Sequence, residues 1–222
     1  VSGGAGNDNI WAGAGIDHID SGIGDDTIDA GTGDDVILGG DGFDDIDGGD
    51  GFDAVDFAGS NVGVVARLDT RIGQGGFAQG DIYTNIEALL GTRFADELGG
   101  DEYDNRLEGR AGNDLLEGGA GNDMVLGGAG DDTLNGGIGA DILDGGEGSD
   151  TADYFGSVTG VTVSLADGVS TGGDAAGDTL ISIENLIGSD EDDQLTGDDA
   201  DNRLVGRRGD DILIGGAGND IL

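Results

Sequence analysis

The chain has 222 residues, 51 glycines, no proline, no cysteine and a formal net charge of −40. Its eight basic residues are all arginines set against 48 acids, which excludes nucleic acid and anionic membrane surfaces as partners, because both require a basic footprint. No apolar run approaches the length of a membrane span, the start VSGGAGNDNI does not read as a signal peptide, and with His18 the lone histidine, oxygen is the only metal-ligand chemistry present in quantity.

Residues 3–56 divide into six nonapeptides, GGAGNDNIW, AGAGIDHID, SGIGDDTID, AGTGDDVIL, GGDGFDDID and GGDGFDAVD. A first insert of 34 residues, 57–90, follows. The frame returns over 91–153, first as the worn GTRFADELG and GDEYDNRLE, then as five clean copies that include GGAGNDMVL and GGAGDDTLN. A second insert, 154–187, also of 34 residues, leads to a third array over 188–222, again opening on two worn copies. Residues 53–125 align without a gap on 150–222, an offset of 97, so the larger unit is duplicated. The last copy stops inside a nonapeptide, which predicts a piece of a longer protein. In the inserts, Val64, Ala66 and Leu68, and likewise Val161, Val163 and Leu165, alternate with polar residues as half-buried strands do. Each insert is expected to form wider rungs of one continuous solenoid, with a protruding hairpin. Trp11, Tyr83, Phe94 and Tyr154 are expected to close apolar ends and inserts.

Each position of the nonapeptide has a physical role. Glycines at one, two and four allow left-handed backbone and leave carbonyl oxygens free to converge. The aspartate at six adds a charged oxygen at the end of the turn. Positions seven to nine are too short for a helix and predict a three-residue strand whose middle residue, such as Ile10, Ile19, Leu116 or Leu134, faces inward. The predicted coil holds two nonapeptides. One buried aliphatic in nine residues is little against the entropy of ordering them, and carboxylate repulsion adds to the deficit. A ligand that prefers the folded array must supply the difference. Calcium takes six to eight oxygens in flexible geometry, whereas magnesium demands stricter octahedra and holds its waters.

The pattern G-G-x-G-x-D-x-U-x, which GGAGNDMVL and GGAGDDTLN fit at every position, resembles the calcium-binding toxin-repeat (RTX) family, for which it is a known signature. The insert segments are similar to those between repeat blocks in serralysin-type proteases and alginate epimerases. The resemblance implies an all-β, right-handed parallel β-roll with calcium held between turns two repeats apart. It implies ligands at the position-six aspartates Asp8, Asp17, Asp26, Asp35, Asp44, Asp53, Asp114, Asp123, Asp132, Asp141, Asp150, Asp211 and Asp220, with Asp96 and Asp193 as weaker members in the worn repeats. It implies carbonyl ligands at the turn glycines Gly4, Gly6, Gly13, Gly15, Gly22, Gly24, Gly31, Gly33, Gly40, Gly42, Gly49 and Gly51 of the first array. In the second these would be Gly112, Gly119, Gly121, Gly128, Gly130, Gly137, Gly139, Gly146 and Gly148, and in the third Gly209, Gly216 and Gly218. Position two of 109–117 is Arg110, which leaves its turn carbonyl unassigned.

The implied role is a secreted, extracellular bacterial module that passes a type I secretion channel unfolded and folds on meeting calcium. The chain itself is not expected to be an enzyme: G-x-S-x-G and H-E-x-x-H are absent, and paired acids such as Asp25 and Asp26 recur in every repeat and single out nothing. His18, at position seven, is expected to face solvent, as are Phe43 and Phe52 at position five. Two alternatives stay open. One is an adhesion module whose inserts hold a glycan or cell surface; the other is the folding tail of an upstream enzyme.

Overall fold

The computed structural model describes all residues, 1–222. Apart from the single 3₁₀ turns Gly76–Ala78 and Gly173–Ala175, its regular structure consists of 25 short strands. Within the arrays each strand pairs in parallel with the strand eighteen residues on, as in Ser2↔Asp20, Ile10↔Ile28 and Leu116↔Leu134. Two nonapeptides therefore close one coil, and the chain is a parallel β-solenoid. Successive repeats fall alternately on two faces. One carries a nine-stranded and a four-stranded sheet, the other a twelve-stranded sheet.

The interior is a stack of position-eight side chains. Ile19, Ile37, Val55, Leu107, Val125 and Leu143 come from one face, and Ile28, Ile46, Leu98, Leu116, Leu134 and Leu186 from the other. Several strands between intact repeats exceed the expected three residues, although Val36–Leu38 and Asp45–Asp47 keep to three. His18–Ile23 and Thr27–Thr32 have six, because pairing continues through positions one to three of the next repeat. Position one faces inward, so Ser21 and Ala30 are buried; the slot accepts a small side chain but little more. His18, Phe43 and Phe52 are exposed, and Tyr83 and Tyr154 are buried. Trp11 departs from expectation: it stands at outward-facing position nine and is 71 % exposed.

The inserts lie within the sheets and do not protrude from them. In the first, Val65–Arg67 pairs in parallel with Glu97–Gly99, Ile72–Gln74 runs back antiparallel, and Ile82–Thr84 returns beside Asp45–Asp47. Three rungs are thus filled in reverse chain order on the twelve-stranded face. The opposite face receives one rung, Ala88–Leu90. In the second insert the corresponding strands, Thr162–Ser164, Val169–Thr171 and Thr179–Ile181, fall on the other face. There the nine- and four-stranded sheets meet through a bond from Gly177 N to Ser170 O at 3.2 Å. Seven nonapeptides separate the inserts, and an odd number of half-coils reverses the face.

Candidate metal centres

The turns that join the two faces form two edges, and the position-six aspartates line up along them. On one edge Asp8 N–H donates to Asp26 Oδ1 at 2.8 Å, Asp26 N–H to Asp44 Oδ1 at 2.9 Å, and Asp44 N–H to Asp81 Oδ1 at 2.9 Å. On the other, Asp17 N–H reaches Asp35 Oδ1, Asp35 N–H reaches Asp53 Oδ1, and Asp53 N–H reaches Glu87 Oε2. The second array repeats the pattern through Asp114, Asp132 and Asp150 on one edge and Asp123 and Asp141 on the other, each bond at 2.8 Å. Asp211 and Asp220 accept from Asp193 and Asn202 in the third. From Asp26 onward, each aspartate thus spends one oxygen in holding the coil before it.

The second oxygen is left over. Oδ2 of Asp8, Asp26, Asp35, Asp44, Asp53, Asp114, Asp123, Asp132, Asp141 and Asp150 is buried without a hydrogen-bond partner. Buried polar atoms in native proteins are nearly always satisfied, so a repeated orphan calls for a ligand. The carbonyls at position four are also spare: those of Gly6, Gly15, Gly24 and Gly33, and of Gly112, Gly121, Gly130 and Gly139, receive no hydrogen bond. Gly121 O and Asp141 Oδ1 both crowd the place where a Cβ on Gly139 would stand, as Gly24 O and Asp44 Oδ1 crowd that on Gly42. Carbonyl and carboxylate therefore converge at these turns. Every position-two and position-four glycine in the set except Gly42 has φ between 90° and 159°, a region L side chains rarely adopt. No three His, Cys, Asp or Glu side chains come together; what meets at these turns is carboxylate and carbonyl oxygen, a hard-oxygen donor set suited to calcium.

The electrostatics agree. Burial pushes the carboxyls of Asp44, Asp53 and Asp150 up to about 6 and those of Asp114 and Asp123 up to about 7; the backbone N–H from the coil before opposes the rise, and neighbouring carboxylates add to it. A bound dication would reverse this balance by favouring the ionised form.

A family model described as the RTX calcium-binding nonapeptide repeat (4 copies) matches residues 2–37, 20–55, 90–125, 99–134, 118–152 and 187–222. The chain belongs to the RTX calcium-binding repeat family. Among curated proteins no match is found. The RTX repeat fold is a structural, non-catalytic module, and the matched segments leave out all but the last residue of each insert.

Two features of this RTX chain escaped sequence reasoning. The inserts supply position-six equivalents: Asp81 and Asp178 accept the N–H of Asp44 and Asp141, and Glu87 and Glu184 accept those of Asp53 and Asp150. Their signal in the sequence was faint, the shared GD and IE dipeptides of the two inserts. The second feature is a counter-running ladder at position five. Here the side chain accepts from the following coil: Asp25 N–H donates to Asn7 Oδ1, Phe43 N–H to Asp25 Oδ1, and Asp131 N–H to Asn113 Oδ1. The preference for Asn or Asp at position five carried that signal. Ile16, Phe43, Phe52 and Ala140 have no acceptor to offer; the last three stand in the last coil before an insert, and Ile16 stands in the first coil.

Proposed function

We propose that the chain is a calcium-loaded repeat module of a secreted bacterial protein, disordered by its own charge in the cell and folded by calcium outside it. The position-six aspartates named above, with the turn carbonyls, would hold the ions along both edges. The observation that carries this reading is the row of ten buried, unpartnered Oδ2 atoms, together with spare position-four carbonyls that meet the Oδ1 of the same carboxylates at turns such as those of Gly42 and Gly139. Extracellular calcium modules bind at about 10⁻⁴–10⁻³ M, a range that separates the exterior from the cytosol. Nothing in the structure is long and apolar enough to be a membrane-spanning helix, and the module would serve a larger parent, an adhesin or a secreted enzyme, as the part that folds on arrival.

Isothermal titration with calcium and, separately, magnesium tests the reading. Calcium at millimolar concentration should bind at many sites and order the chain, whereas magnesium should leave it disordered. Failure to take up calcium at that concentration would overturn the assignment.

A further inference from the structure

The four worn repeats, 91–108 and 188–205, differ from the intact ones in what their position-six residues do. Asp96 Oδ2 accepts the Thr92 N–H at 2.6 Å, and the Thr92 hydroxyl donates to Asp96 Oδ1 at 3.1 Å. In the other copy Asp193 Oδ2 accepts the Ser189 N–H at 2.7 Å and Oδ1 the Ser189 hydroxyl at 2.9 Å. The intervening repeats carry asparagine at six: Asn105 Oδ1 accepts the Asp101 N–H at 2.7 Å, and Asn202 Oδ1 the Asp198 N–H at 2.8 Å. Each worn turn is therefore closed by its own side chains, from position six back to the amide of position two. Neither Asp96 nor Asp193 leaves a buried oxygen unpartnered, and none of these turns contains a residue with positive φ.

A fixed cation stands at the border of the first worn pair. Arg110 occupies position two, a glycine place, with φ 74°, and its guanidinium holds Asp56 at 2.7 and 3.0 Å and the Gly91 carbonyl at 2.8 Å. A non-glycine residue there strains the backbone, and the paired carboxylate and carbonyl offset that cost. Arg207, the copy 97 residues on, has φ 76° and pairs with Asp190 at 3.1 Å.

We propose that the worn repeats are seams that take no calcium, closed by Thr92–Asp96, Ser189–Asp193, Asn105 and Asn202, and that they divide the bound ions into separate blocks along the solenoid. The inference rests on calcium being the ligand of the intact repeats and adds where it stops.

The test is the calcium bound per full-length chain at saturation, measured by equilibrium dialysis and metal analysis. Asp96→Asn should bind as much calcium as the parent, whereas Asp114→Asn should lose ions. Restoring the glycines, as Thr92→Gly with Phe94→Gly, should raise the calcium count above the parent. Equal losses from Asp96→Asn and Asp114→Asn would overturn the proposal, and so would a repaired chain that gains no calcium. A parent that binds none would instead defeat the calcium reading itself.

Discussion

At the scale of the residue, the position-six aspartate does two jobs with two oxygens. Oδ1 holds the N–H of the coil before it, and Oδ2 is left for a ligand. The two jobs separate in Asp123→Asn, which keeps an acceptor for the Asn105 N–H but removes the charge. We expect its calcium midpoint of folding to rise about tenfold, equivalent to about 1.4 kcal/mol. Asp131→Asn, at exposed position five, should leave the midpoint unchanged; equal shifts in the two variants would assign Asp123 a purely structural role. The pH dependence follows from the raised carboxyls. Folding without calcium takes up protons between about 4 and about 7, because the folded values of Asp44, Asp53, Asp114 and Asp123 lie above the ordinary carboxylate value. Stability of the calcium-free form is therefore highest near pH 4 and is lost as pH rises through 6 to 7. Relief of the net negative charge acts in the same direction. Circular dichroism in chelator should show strand content growing on acidification to about pH 4.5, while calcium affinity falls; loss of strand on acidification would contradict this. The aspartates were legible because they recur at a fixed place. Asp81 and Asp178 were not, because a contact made across 37 residues leaves no period.

At the scale of the element, the nonapeptide period announced the strands, their inward position eight and the two-repeat coil. It missed their length, since position one reads as a turn glycine although its slot faces the interior and pairing runs on through it. A turn glycine is held more strictly where a coil precedes it. A Cβ on Gly6, in the first coil, meets nothing and bears only the cost of φ 106°, whereas a Cβ on Gly130, at φ 140°, would run into the Gly112 carbonyl of the coil before. Gly6→Ala should cost about 1–2 kcal/mol, and Gly130→Ala distinctly more, read as melting temperatures in saturating calcium. Equal losses would mean that the coils can separate at the edge without penalty. The worn repeats were visible as missing glycines, but their remedy was not, because a closed turn depends on where Thr92 and Ser189 point.

At the scale of the whole molecule, stability in a solenoid is close to a sum over rungs and their interfaces, so register matters more than length. Each insert adds three rungs to one face and one to the other, and the seven nonapeptides between them place these additions on opposite faces. Deleting one coil, 118–135, keeps that alternation, while deleting the single repeat 118–126 brings both additions to one face. The shorter deletion should therefore melt lower than the longer one in saturating calcium; the reverse order would contradict the balance of the two faces. The repeats and the duplication were plain in the sequence, but the reversal of faces was hidden in whether a count was odd. The central claim is that cations join the rungs of a chain whose acids otherwise drive it apart. Far-UV circular dichroism at neutral pH during a calcium titration tests it most directly. The account predicts little strand signal in excess chelator and a cooperative gain as calcium is added, whereas full strand content in chelator, unchanged by the metal, would contradict it.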